Sequence, residues 1–248
     1  MKNVYVKLFS FSMLYISFIS EVMAGPGGSI AKAAVNSFWG RIGLGIAFVV
    51  LSPIIAYVLI KEAKAKKRTL QDLAFLKNHS PQFDWLKIKL RIQDCFVRVH
   101  SAWEQEDISE AQNWMSSWYW QNQKCTVLDA WKRQGLQNIC KVDPKILIKP
   151  LLFVHRNENS IAHNGSSLHI LISASMVDYL IDIKSGKIVE GCKSKKVVES
   201  LWSFVISNGQ WVVENIEDSD MSLEYAQLVK SLPAIDQTIL DVNLKKVS

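Results

Sequence analysis

The stretch Phe83 to Glu106, FDWLKIKLRIQDCFVRVHSAWEQE, decides the fold. Trp85, Ile88, Ile92, Phe96, Val99 and Trp103 recur at steps of three and four, which predicts a helix with one continuous apolar face. Phe83, Leu86, Leu90 and Val97 form a second apolar surface, and Lys87, Arg91, Asp94 and Arg98 fill the remaining strip. A helix apolar on two sides is expected to be wrapped by other elements. Its charged strip is expected to be solvated, with Asp94 as the local ion partner.

Downstream, Asp107 and then Ser109-Glu110-Ala111-Gln112, a capping-box pattern, predict the start of a new helix. It should run through the cluster Trp114-Met115-Ser116-Ser117-Trp118-Tyr119-Trp120 to about Gln134 and stop at Gly135. The period then changes from 3.6 to 2. Lys145 to His155 is β-rich but holds Pro150, which predicts an edge strand or a bulge. Asn157 to Ser167 reads as a polar loop. Leu168 to Ile183 reads as a long strand with Leu168, Ile170, Ile172, Ala174 and Met176 on one face. Lys184-Ser185-Gly186-Lys187 turns it into Ile188 to Gly191. Val197 to Ile206 is the next strand, and the Asn208-Gly209 turn returns the chain as Trp211 to Ile216. Met221 to Ser231 reads as helix, followed by a loose tail. Helices first and antiparallel strands after make the class α+β.

Upstream lies a different signal. Ile42 to Ile60, IGLGIAFVVLSPIIAYVLI, carries no charge. As a helix it would span roughly 28 Å, close to the hydrocarbon thickness of a bilayer. Lys61, Lys64, Lys66, Lys67 and Arg68 follow at once, interrupted only by Glu62 as an acid. The Lys/Arg excess on that flank predicts that everything after residue 61 is cytoplasmic. Residues 1–24 read as a secretory signal, with Lys2 and Lys7 before the apolar run Leu8 to Ile19, and Val22-Met23-Ala24 as a cleavage site. The alternative is a short uncleaved first membrane helix, giving a two-pass hairpin.

The formal charge of +6 suggests a nucleic-acid binder until it is partitioned. Residues 1–68 hold nine Lys/Arg against two Asp/Glu, whereas residues 69–248 hold twenty against twenty-one. The basic excess surrounds the membrane segment, where it meets anionic lipid, and no nucleic-acid partner is expected. Cys95, Cys125, Cys140 and Cys192 are scattered, with no histidines at ligand spacing, so no metal site is expected. In the cytoplasm they should be free thiols.

Several segments together resemble the Tim-forty-four-like domain family. They are Phe83 to Asp107 with Ala102-Trp103, then Gly135-Leu136-Gln137-Asn138-Ile139, then Val177-Asp178-Tyr179-Leu180-Ile181-Asp182 with Ser185-Gly186 and Glu190-Gly191. The last is Trp202-Ser203-Phe204-Val205 followed by Trp211-Val212-Val213 and Ile216. The resemblance covers about residues 75–218. It implies a cone-shaped nuclear-transport-factor-two-like domain, helices wrapped by a bent antiparallel sheet, that binds protein or lipid without catalysis. Ile206 departs from the family, whose members often carry a base there. The long N-terminal region by which the mitochondrial translocase subunit holds its heat-shock chaperone has no counterpart, so motor recruitment is not implied. A signal and a membrane helix stand in its place, as in bacterial relatives, which implies the bacterial inner membrane.

The organisation expected is a signal or first helix (1–24), an external linker (25–41), a transmembrane helix (42–60) and a basic juxtamembrane connector (61–80). The domain (81–218) and a C-terminal helix and tail (219–248) follow. The function expected is a membrane-anchored adaptor at the cytoplasmic face, in protein translocation or membrane-protein biogenesis. Its partners would be anionic lipids, met by Lys61, Lys64, Lys66, Lys67 and Arg68, and a protein of that machinery. Trp114, Trp118, Tyr119 and Trp120 either lie at the headgroup level or plug the cone as core. The alternative function is a small-molecule-binding or isomerase-like enzyme on the same cone fold, for which Asp178, Tyr179, Asp182 and His169 are the candidate acid, base and donor groups. Acids beside the Ser185-Gly186 turn more simply cap it, and no cofactor-binding motif is present.

Overall fold

A computed structural model describes residues 37–156 and 163–235. The expected signal peptide and most of the external linker lie outside the described residues, as do part of the polar loop and the end of the tail. The chain divides into two units, residues 1–58 and 59–248.

The first unit holds the start of α1 (Phe38–Lys77), a helix long and apolar enough to cross a membrane. It contains the expected span Ile42 to Ile60 entire. Pro53 lies inside it and has no N–H to offer the carbonyl four residues back. Ser52 Oγ donates to that carbonyl, Val49 O, at 3.1 Å. The hydroxyl thus supplies a donor where the proline removes one, which matters most where water is absent.

In the second unit α1 continues without a connector. Glu62, Ala65, Thr69, Leu73 and Leu76 recur at steps of three and four, and all are buried. This corrects the reading of residues 61–80 as a juxtamembrane connector. The polar residues that suggested one occupy the other side of the helix.

A single 3-10 turn, Pro81–Phe83, leads to α2 (Trp85–Gln105). Asp84 caps it, accepting a hydrogen bond from Leu86 N at 3.1 Å. The predicted face is buried at Ile88, Ile92, Phe96 and Val99, whereas of the second surface only Phe83, ahead of the helix, is buried. Leu86, Leu90 and Val97 are exposed, Leu86 at 67%. The helix is therefore covered on one side, by the sheet, and the expectation of wrapping on two sides fails.

The predicted long helix after Asp107 is broken into pieces. Asp107 caps only a 3-10 turn, Ile108–Ala111, and α3 (Ser117–Gln123) starts afresh with Ser116 as its cap. The reason is backbone pairing. Val213 N donates to Trp114 O at 2.8 Å and Ser116 N to Val213 O at 2.7 Å, bonds that a helix through this segment would have consumed. A π-helical turn, Lys124–Leu128, joins α3 to α4 (Asp129–Gln134), which ends at Gly135 with φ 68° as expected.

Four antiparallel strands follow in the order of the chain: β1 (Leu136–Val154), β2 (Ser167–Asp182), β3 (Ile188–Ser207) and β4 (Gln210–Asp218). Pro150 lies on the edge strand β1 beside a register break at Pro150/Leu152, where its missing N–H does least harm. Leu168, Ile170, Ile172, Ala174 and Met176 are all buried on one face of β2, with Trp202, Phe204 and Ile206 of β3 in the same core. The two strands expected at Ile188 to Gly191 and Val197 to Ile206 are one, because bulges absorb the break between them. Three residues, Lys193 to Lys195, stand opposite Val177 alone. Gly191 has φ 77°, and a Cβ there would meet Asp178 O. On the other sheet face a smaller cluster of Leu151, Leu171 and Leu201 packs with Met221 and Tyr225, carried by the segment around α5 (Ser222–Leu228).

Candidate functional site

The basic run after residue 60 lies on α1 within the second unit. Lys64, Lys66 and Lys67 are exposed. Arg68 is half-buried and engaged, its Nε 2.9 Å from Asp72 Oδ1 and a terminal nitrogen 3.1 Å from Pro233 O. It is thus a staple between helix and tail, not a surface cation. Glu62, the acid of the run, is buried and takes Lys149 Nζ at 2.7 Å and Ser222 Oγ at 2.9 Å. The folded domain adds a cation that sequence spacing hides. The Lys61 ammonium beside Lys230, with Lys64 further off, holds Lys230 below its ordinary value. Only the tertiary fold brings position 230 to position 61.

The aromatic cluster is divided by the backbone pairing at 114–116. Tyr119 is 2% exposed and Trp114 and Trp120 pack partly buried against the core, so these three are structural. Trp118 alone stands out, 63% exposed. Trp114 is covered by the guanidinium groups of Arg91 and Arg98, 3.8 and 4.2 Å from its ring centroid. Arg91 Nε also donates to Trp211 O at 2.9 Å, tying α2 to β4. The strip expected to be solvated therefore holds a packing arginine, while the Arg98–Asp94 ion pair at 3.0 Å is as expected.

The four candidate catalytic groups do not share a cavity. Asp182 Oδ1 accepts from Ser185 N at 2.7 Å and caps the turn. Asp178 pairs across from Cys140, and Tyr179 from Ile139. Desolvation raises the Asp178 carboxyl above its ordinary value, a hydrogen bond from Asn138 pulls it back, and Glu190 adds to the rise. Its side chain is nevertheless exposed, and the exposure decides: this is a strand-surface carboxylate. His169 lies on the sheet face away from α2. Its Nδ1 is 2.7 Å from Ser203 Oγ and its ring centroid 4.6 Å from that of Tyr225, whose hydroxyl donates to Glu217 at 2.9 Å. Ser203 and Tyr225 were not legible as partners of His169, nor Glu217 as the partner of Tyr225, since they come from β3, α5 and β4.

Among the described residues of the second unit, two hollows bear on the site. One, about 110 Å³, lies between Arg68, Thr69 and Asp72 of α1, the end of β1 and the tail from Val229 to Ile235. The Thr69 hydroxyl is buried there without a hydrogen-bond partner among the described residues. The other, about 420 Å³, is a shallow dish beside Gln82, Arg91 and Trp211. Neither gathers Asp178, Tyr179, Asp182 or His169. Among the described residues no group of three or more His, Cys, Asp or Glu is placed to hold a metal. All four cysteines are free. Burial pushes the Cys95 and Cys140 thiols up to about 12, whereas Ser194 and then Lys196 hold the Cys192 thiol below its usual value.

His100 is a titratable group set in the core. Its Nδ1 carries the proton, because its partner at 2.8 Å is the Phe96 carbonyl, which only accepts. Burial pushes the ring down to about 4, against the smaller opposing effect of that bond. The folded state therefore holds His100 neutral where the unfolded chain protonates near 6.5. Stability is complete above about pH 6.5 and falls as the pH drops toward 4, by on the order of 3 kcal/mol for this group. His169, also pushed down to about 4 by burial, acts in the same sense. Urea midpoints measured from pH 7.5 to 4.5 should fall across this window, and His100→Gln should flatten the slope. A midpoint independent of pH would contradict the buried neutral ring.

No protein-family model matches the chain, and no curated protein matches it. Among solved structures it is similar to one described as "Crystal structure of intermembrane space region of chloroplast protein ARC6", at 6% identity and a TM-score of 0.34. The match covers 52% of this chain and 95% of that one. A likeness at that level carries no argument about fold or function.

Proposed function

We propose that the chain is a single-pass, membrane-anchored binding module of the nuclear-transport-factor-two-like cone type, related to the Tim-forty-four-like domains. In this reading it works as a non-catalytic adaptor at the cytoplasmic face of a bacterial inner membrane, in protein translocation or membrane-protein biogenesis. The observation that carries it is the pairing of one long apolar helix with a domain whose candidate acids are dispersed. A general acid or base needs a partner and a substrate-sized hollow, and Asp178 and Asp182 have strand and turn partners instead. Lys61, Lys64, Lys66, Lys67 and Lys230 supply the cations for anionic headgroups, each contributing about 1 kcal/mol near such a surface.

Two measurements test this. A reporter active only outside the cytoplasm, fused after Ser248, should be silent; an active fusion overturns the orientation. Residues 59–248 should sediment weakly with anionic vesicles and not with neutral ones, and Lys64→Glu with Lys230→Glu should abolish the effect. Equal behaviour of wild type and variant would remove the lipid partner from the proposal.

A further inference from the structure

β3 changes its surroundings halfway along. Ser200 to Ser207 pair with β2 or its flank on one side and β4 on the other, whereas Ile188 to Glu199 pair with β2 alone among the described residues. Residues 188–199 therefore form an uncovered sheet edge, and apart from half-buried Cys192 every one of them is exposed. Such an edge offers a row of N–H and C=O groups to any extended chain laid beside it.

Charge selects among the occupants. Lys184, Lys187, Lys193, Lys195 and Lys196 lie on or beside this edge against Asp182, Glu190 and Glu199, in a region (69–248) whose net charge is −1. Lys195 Nζ reaches Asp143 at 3.0 Å, and the other cations stand against that background of near neutrality. A second copy would set lysines opposite lysines, which destabilises a strand pair. Lipid headgroups would answer the charge but present no strand to the backbone. An extended acidic segment answers both, and Val189, Val197 and Val198 give its apolar side chains something to cover.

We infer that residues 188–199 of β3 are the docking edge for an extended acidic segment of a partner protein, added as a further strand of the sheet. The inference deepens the adaptor reading and rests on it. Its test separates the two, because it reads peptide binding and not anchorage or orientation.

The full chain, held in micelles of an uncharged detergent, is titrated with a peptide of about ten residues alternating glutamate with valine or threonine. A second peptide of identical side chains carries N-methyl groups on alternate amides, and a third replaces glutamate by lysine. The first should bind and slow amide exchange at residues 188–199; the second should bind about tenfold more weakly, and the third not at all. The double variant Lys193→Glu, Lys196→Glu, at exposed positions, should lose about tenfold in affinity with unchanged circular dichroism. Equal binding of the N-methylated peptide would reduce the contact to charge and overturn strand addition. So would slow exchange, before any peptide is added, at those amides of 188–199 that do not bond to β2, a dimer joined through this edge, or protection of the same amides by anionic vesicles and not by the peptide. Failure on any of these counts leaves the reporter and sedimentation results of the adaptor reading where they stand.

Discussion

A chain cut to begin at Pro81, the start of the domain as the sequence suggests it, is expected not to fold, while one beginning at Leu59 folds cooperatively. The shorter chain lacks Leu73 and Leu76, which are among the most fully buried side chains of the core, together with Ala65 and Glu62. A single buried leucine cut to alanine costs about 2–5 kcal/mol. Removing both leucines and the helix that carries them approaches the whole stability of an ordinary domain, about 5–15 kcal/mol. It also strands Lys149 and Ser222, which meet the Glu62 carboxylate at 2.7 and 2.9 Å. Circular dichroism with urea titration checks the two fragments, and Leu76→Ala in the longer one should lower stability by about 2–5 kcal/mol. A cooperative transition for residues 81–248 equal to that of 59–248 would show that α1 is ornament to the domain.

Trp202→Ala should cost about 3–5 kcal/mol, the range for a large aromatic removed from a core. Its ring is fully buried against Phe96, His100 and Phe204, with centroid separations of 5.1, 5.7 and 6.2 Å. Its Nε1 donates to Ser200 Oγ at 2.8 Å, so the substitution also leaves that hydroxyl without its donor. Trp118→Ala makes the contrast, since that ring is mostly in solvent and its loss should stay within about 0.5 kcal/mol. Paired urea titrations of the two variants decide the matter. Similar losses at both positions would mean that Trp118 is covered by something.

These residues also show how far the sequence carries. The alternation in β2 and the Asn208-Gly209 turn were legible because one buried face and one turn geometry fix them locally. Gly135 and Pro150 were legible for the same reason: each has a backbone property that few positions tolerate. The domain's true beginning was not, because residues 61–80 open on a dense run of charges, and the row Glu62, Ala65, Thr69, Leu73, Leu76 includes two polar members. Glu62 passed as a surface acid until Lys149 and Ser222 were seen to meet it. The fragmentation of the helix after Asp107 depends on β4, about a hundred residues further on. Of the nominated surface residues, Trp118, Lys64, Lys66 and Lys67 stand exposed, whereas Lys61 is half-buried and Tyr119 and Arg68 are claimed by the interior and the tail.

The contacts of α1 with the end of the chain bear on the order of events during synthesis. Glu62 meets Ser222 across 160 residues of sequence, and Arg68 meets Pro233 across 165. At about 5–20 residues per second, roughly 8–30 s separate the emergence of the two halves of each contact from the ribosome. Throughout that interval the apolar row of α1 has no sheet to lie on, because β1 through β4 are still being made. Folding of this domain is thus dominated by distant pairings, which close only once residues 222 and 233 have emerged. A nascent chain arrested before Ser222 would present the same unfinished helix as a terminated one, and would be a natural client for whatever holds unfolded chains at a membrane.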